Sequence, residues 1–242
     1  MAPLIVGSTV LSHLCGASVG RESTAVQIGG SLADQLTRIF HFSRENRHII
    51  LLTGISAGFS SVFGTPLAGT IFSLEVLSIG KLRFDAILPC SLSAVLAKQM
   101  TLFWNIHYTH YPIVQIPELT LKTFLFTLLC GIVFGGVAKI FAESLHRSSI
   151  WVKKRIAHAT LPPIAGGILI AVSVQILGTH RYLGLGEASI MQAFQHPIPA
   201  YDFIGKFAYT IISLASGIKG GEVSPLFYIG ATLGNALASF LH

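Results

Sequence analysis

Charge is the scarcest property of this 242-residue chain. Asp, Glu, Lys and Arg together make up 11% of it, against 52% apolar residues. A water-soluble domain carries about 25% charged residues, so the polar surface that keeps a domain dissolved is missing, and most soluble enzyme classes are excluded with it. The deficit is not that of a disordered chain, because disorder goes with few Leu, Ile, Val and Phe and a high net charge. The composition reads as an integral, multi-pass membrane protein, expected in the cell (inner) membrane with the lipid bilayer as its surroundings.

Cysteine is nearly absent too. Cys15, Cys90 and Cys130 are odd in number, lie in apolar surroundings and show no C-x-x-C or His-paired spacing, so they read as structural thiols rather than a disulfide framework or a zinc site. His107 and His110 stand three apart, but in a loop flanked by Tyr and Pro with no carboxylate before Glu118; an interfacial position is expected, and no metal. No P-loop, dinucleotide or haem motif occurs in a fitting context, so no cofactor is expected. The net charge of +6 belongs, in a membrane chain, to cytoplasmic loops, and no nucleic-acid partner is inferred. The N-terminus has no basic n-region and no clear cleavage site, so a removable signal is not expected.

What the chain has instead is apolar length. Apolar segments run over 3–19, 49–63, 66–79, 86–104, 119–142, 161–178, 203–217 and 223–241. A straight helix needs about 20 residues to cross the hydrocarbon core, and several of these are shorter or interrupted. Gly64-Thr65-Pro66 splits the 49–79 region, and Gly217-Ile218-Lys219-Gly220-Gly221, with Pro225 behind it, separates the last two segments. Gly64, Pro66 and Pro225 are therefore read as structural turns. Non-helical backbone at membrane depth is tolerated only where it is buried in protein or lines a polar cavity, so broken helices point to a transport pathway. Polar loops are expected over 38–48, 81–85, 107–118 and the basic stretch 146–158.

An internal repeat accompanies the breaks. Gly20-Arg21-Glu22 followed by Gly30 recurs as Gly220-Gly221-Glu222 followed by Gly230, each read as a glycine turn that opens an apolar helix with an acid in its first turn. Transporters are often built from paired halves whose half-helix N-termini meet at the substrate site. Exposed N–H groups and the helix dipole favour negative charge at such an end, and they attract a free anion as well. Two readings of Glu22 and Glu222 follow: an acid that competes with an anion for the same N–H cradle, or a cap that satisfies orphan donors. Ionisable groups inside a membrane mark ion or proton paths, which favours the first.

These residues resemble the CLC chloride channels and proton-coupled anion exchangers. The stretch from Gly20-Arg21-Glu22-Ser23-Thr24 through Gly29-Gly30 is similar to that family's Gly-Arg-Glu-Gly-Pro motif. Residues 57–75, with Gly64-Thr65-Pro66-Leu67-Ala68-Gly69 at their centre, are similar to a second motif, and Gly217 to Pro225 to a third, in the family's order and spacing. Within the family, Thr24 and Glu222-Val223-Ser224-Pro225 resemble the fluoride-exporting clade. Ser23 departs from the usual glycine and adds a Cβ beside the acid, with a shifted turn as the expected consequence.

The resemblance implies an all-α membrane fold, a CLC-like bundle of tilted and broken transmembrane helices with inverted repeats. Its first-half helices would lie at about 1–104 and its second-half helices at about 119–242. It implies transmembrane transport of fluoride or chloride, as a proton-coupled antiporter or a voltage-gated-type chloride channel, by a homodimer. Glu22 would be the gating glutamate that carries the proton. Glu222 would be an acid of the central pathway, with Gly20, Arg21, Ser23, Thr24, Gly220, Gly221 and Val223 lining the anion route. Arg21 would keep the local potential positive or snorkel to an interface. Val76 stands where many exchangers keep an inner proton-relay glutamate, so no proton route through that relay is implied. Family elements would precede Met1 and follow His242. That makes the fold incomplete and leaves a truncated, non-transporting subunit as an alternative.

A third reading is enzymatic. Gly16-Ala17-Ser18-Val19-Gly20 matches the G-x-S-x-G nucleophile elbow, which needs a strand before Ser18 and a helix after it. Residues 3–15 show no strand alternation, so Ser18 is expected to allow close helix approach.

Overall fold

The computed structural model describes residues 1–76, 83–111, 118–156, 158 and 160–241. Their order is α1 (Ala2–Leu14), α2 (Glu22–Ile39), α3 (Arg44–Phe63), α4 (Pro66–Val76), a 3-10 turn (Phe84–Ala86) leading into α5 (Ile87–Phe103), α6 (Leu121–Arg155), α7 (Leu161–Leu177), α8 (Glu187–Gln195), α9 (Asp202–Ala215) and α10 (Val223–Leu241). Among the described residues the only β pairing is an isolated bridge between Gly20 and Gly221. Phe84–Phe103 and Leu121–Arg155 are long and apolar enough to cross a membrane, while the other apolar helices are shorter. The chain divides into two compact units, Met1–Val10 with Arg21–Thr109, and Leu11–Gly20 with His110–His242.

In the first unit, glycine sets how closely α2 and α3 approach. A Cβ at Gly29 would strike the Gly54 carbonyl, one at Gly54 would strike the Gly29 carbonyl and Ala33, and one at Gly58 would strike the Ala25 carbonyl. Gly54 and Gly58 form a G-x-x-x-G face, the pattern that lets apolar helices meet backbone to backbone. Serines join α3 to α5: Ser56 Oγ donates to the Cys90 carbonyl at 3.0 Å, and Ser60 Oγ to that of Ala94 at 2.7 Å. α3 ends where Gly64, at φ +68°, gives its N–H to Ser60 O, and Pro66 then opens α4. The Tyr108 ring occupies the space a Gly64 Cβ would take. At the charged end of α2, Asp34 accepts from Arg47 and from Arg38, both at 2.8 Å, and the Arg47 hydrogen bond holds its carboxyl below the usual carboxylate range.

The second unit is organised around a core of Ile170, Val174, Tyr182, Ile190, Tyr209 and Tyr228. Phe141 of α6 meets Phe207 of α9 edge to face at 5.3 Å. Asn235 of α10 fixes the end of α8, accepting from the Ile198 N–H at 3.0 Å and donating to the carbonyls of Ala193 and His196.

Element boundaries depart from the sequence expectation in three places. Residues 146–155 of the basic stretch are not a loop, because α6 continues through Arg155. At 1.5 Å per residue its 35 residues extend about 52 Å, beyond a hydrocarbon core of about 30 Å, and Lys153, Lys154 and Arg155 fall in the last turn where the dipole favours cations. Stretch 38–48 is a short connection between Ile39 and Arg44, capped by Ser43, whose side chain accepts from the Asn46 N–H. The α8 helix, Glu187–Gln195, was not foreseen. The expected apolar end 77–79, residues 81–82 of the 81–85 loop, 112–117 and residue 157 of the basic stretch lie outside the described residues.

Candidate functional site

The two glycine motifs meet through their backbones. Gly20 N–H donates to Gly221 O at 2.6 Å, and Gly221 N–H returns the bond to Gly20 O at 2.7 Å. Each glycine stands two residues before the first residue of its helix, Glu22 for α2 and Val223 for α10. The structural equivalence is thus shifted by one residue from the sequence repeat: Gly20 corresponds to Gly221, Arg21 to Glu222, and Glu22 to Val223. The expectation that both helices open with an acid is corrected accordingly. Glu22 is the first helical residue, whereas Glu222 lies outside the first turn of α10, in the place Arg21 takes before α2.

Burial follows the same division. Glu22 is 2% exposed, while Arg21 and Glu222 are exposed and Val223 is half-buried. Ser23 and Thr24 occupy the first turn of α2. Ser23 sits at an ordinary helical position, so its Cβ imposes no strained turn. Thr24 shares a 2.8 Å hydrogen bond with Thr9 of α1, which ties the first turn of α2 to α1 within the first unit. Gly220 is required for space, since a Cβ there would run into the side chain of Val19. Pro225 is the buried third residue of α10, a position whose N–H has no intrahelical acceptor, so proline costs the helix nothing there.

Ser18 does not sit at a nucleophile elbow. A helix, α1, precedes it instead of a strand, and its side chain is fully buried. Thr210 Oγ1 gives its proton to the Lys206 carbonyl at 2.8 Å, so in the 3.0 Å contact between Ser18 Oγ and Thr210 Oγ1 it is Ser18 that donates. The Ser18 N–H donates to Ser213 Oγ at 3.0 Å. The hydroxyl is spent on packing two segments together.

Several residues at this end of the second unit escaped the sequence reading. Lys206, Thr210 and Ser213, all 0% exposed, form one face of α9 at spacings of four and three. Asp202, 1% exposed, accepts from the Tyr182 hydroxyl at 3.0 Å and pairs with Arg181 at 2.9 Å. The available signal was a lone lysine inside the apolar 203–217 segment, a placement that is rare unless the charge is bound. Among the described residues no three His, Cys, Asp or Glu side chains gather as metal ligands would.

Comparison with known proteins matches this architecture throughout. The family described as Voltage gated chloride channel matches residues 1–242. A chloride/fluoride channel protein of Pseudomonas syringae pv. tomato is 52% identical, over 100% of this chain and 55% of its own length. The H(+)/Cl(-) exchange transporter ClcA of Salmonella agona is 29% identical, over 91% of this chain and 48% of its own. The crystal structure of a CLC-type fluoride/proton antiporter superposes with a TM-score of 0.92 at 35% identity, covering 98% of this chain and 60% of that one. A slow cyanobacterial Cl-/H+ antiporter shares the fold, with a TM-score of 0.76 at 24% identity. The chain spans about half the length of the relatives it matches.

Proposed function

The chain belongs to the voltage-gated chloride channel family, whose members are integral membrane proteins, and from that premise we propose that it moves small anions across the cell membrane in exchange for protons. Fluoride is the preferred anion, or is carried as well as chloride. The observation that carries this reading is the pair of hydrogen bonds between Gly20 and Gly221, which joins the two glycine motifs at the turns where their helices begin. Buried Glu22 starts α2 two residues after that bridge. Ionised, its carboxylate competes with an anion for helix N–H donors; protonated, it yields to the anion and carries the proton. Gly20, Arg21, Ser23, Thr24, Gly220, Gly221, Glu222 and Val223 are assigned to the anion route, with 1–104 and 119–242 as its paired halves. Thr24 and Glu222 support the fluoride preference, as does the 52% identity to a chloride/fluoride channel protein.

The test is reconstitution in liposomes, with fluoride, chloride and proton fluxes measured under matched gradients. Anion efflux accompanied by proton uptake, with fluoride at least equal to chloride, is expected. Chloride flux far above fluoride flux would reject the fluoride assignment while sparing anion transport. No flux of either ion would overturn the transport reading in favour of a non-transporting subunit.

A further inference from the structure

The fully buried ammonium of Lys206 is not used by the mechanism above, and in an apolar chain a buried cation persists only where something holds it. Its Nζ donates to the carbonyl oxygens of Gly184 at 2.6 Å and Tyr182 at 3.1 Å, and lies 5.2 Å from the centre of the Tyr228 ring. The hydroxyl of Tyr182 is bound in turn to Asp202, one turn before Lys206 on α9. Two side chains of α9 therefore clamp the 182–184 segment. That segment passes the constraint on, because the Gly184 N–H donates to Ala17 O at 3.1 Å. Ser18, next in the chain, is held by Thr210 and Ser213 on the same face of α9, and Gly20 is held by Gly221. The stretch Ala17–Gly20 is thus fastened at three successive points, two of them to the α9 face and its clamped segment.

We propose that Lys206 is a positioning residue: by clamping the 182–184 segment it fixes the Ala17–Gly20 stretch, and so the bridge to Gly221 from which the chain runs into Glu22. For its consequence on transport this rests on the reading of Glu22 as the gate; the structural part stands apart from it. An ammonium suits the task because one flexible head supplies charge-assisted donors to two carbonyls. Methionine keeps the length and the packing but leaves both oxygens without their donor.

Hydrogen exchange read by mass spectrometry on the full-length protein in nanodiscs tests this directly, with Lys206→Met, Lys206→Arg and Ser18→Ala. Loss of the clamp should speed exchange of the amides in 17–20 by at least about 10-fold, the scale set by one charge-assisted hydrogen bond, while those of α3 stay unchanged. The arginine fork can serve both carbonyls, so Lys206→Arg should restore protection. In flux assays Lys206→Met should slow coupled exchange by a similar factor and Lys206→Arg should recover it. Combining Lys206→Met with Ser18→Ala should be no worse than the methionine variant alone, because both loosen one segment; multiplied effects would mean independent roles and would overturn the proposal. Unchanged protection of 17–20 in Lys206→Met overturns it as well. If the wild-type protein moves no anion but its 17–20 amides lose protection in Lys206→Met, the transport reading fails and the positioning role survives. Should Lys206→Met not fold, Ser18→Ala and Lys206→Arg still decide: the first must loosen 17–20 and the second must not.

Discussion

Glu22 and Glu222 hold matching places in the sequence repeat and meet different fates, and one residue of register separates them. Each stands two residues after the first glycine of its repeat, Gly20 or Gly220, but the bridge joins Gly20 to Gly221, so only Glu22 enters its helix and is buried. The repeat was legible as letters. Its register was not, because which glycine pairs with which is decided by backbone hydrogen bonding across 200 residues. A buried carboxylate beginning a helix either gates the anion path or merely complements the dipole, and Glu22→Gln separates the two. As a permanent mimic of the protonated form, Gln should abolish proton movement while leaving an anion flux that no longer responds to pH. A carboxylate serving only the dipole would cost up to about 2 kcal/mol of stability on replacement and leave the ion-to-proton ratio intact. Measured side by side in wild-type and variant liposomes, an unchanged ratio would remove Glu22 from the gate.

At the scale of elements, glycine and one carboxylate hold α2 against α3. With Gly54 and Gly29 each blocking the other's Cβ position, Gly54→Ala should push the helices apart and lower stability by about 1 to 3 kcal/mol, the usual range for overpacking. Thermal unfolding in detergent reads this, and Gly131→Ala on α6, where a Cβ meets open space, is the matched control and should cost nothing measurable. At the other end of the pair, Asp34 is held ionised by Arg47 and Arg38. Its folded pKa lies below the unfolded value near 3.8, so the stability it contributes is present above that value and is lost as pH falls through the folded one. Asp34→Asn should therefore lower the melting temperature at neutral pH, and the gap to wild type should close in acid below about pH 4; a constant gap would assign the effect to packing. The broken character of these helices was readable from Gly64, Pro66 and the 217–221 glycine run, whereas Pro225, read as a turn, lies inside the first turn of α10. The 35-residue length of α6 was not, because its charged last turns look like a loop by composition while remaining good helix formers by propensity. α8 was hidden for a related reason: nine residues of mixed polarity carry too little periodicity to stand out.

At the scale of the whole molecule, the glycines of α2 and α3, with Gly69 of α4 and Gly166 of α7, are spent on contacts within the chain. Gly29, Gly54 and Gly58 serve the α2–α3 contact, Gly69 faces Ser56 and Ser60, and Gly166 lies against Ser216. What the first unit presents outward is aliphatic: Leu67 and Ile71 on α4, and Leu88, Leu92 and Leu96 on α5, each 49% exposed or more and each set at four-residue spacing. Such rows face either lipid or a second copy, and in a bilayer both are apolar, so composition alone does not choose between them. Close packing does, because a large ring in a helix–helix contact meets a backbone, whereas the same ring among acyl chains meets a fluid. If the protein is a homodimer joined along α4 and α5, Leu92→Trp should shift it from two copies to one in mild detergent and in dilute lipid, as read by light scattering or subunit counting. Because Leu92 is 56% exposed, folding of the single chain should be unaffected. A wild-type protein that is monomeric under the same conditions would reject the dimer outright. A wild-type dimer that Leu92→Trp leaves intact would show that this face meets lipid and that the copies join elsewhere.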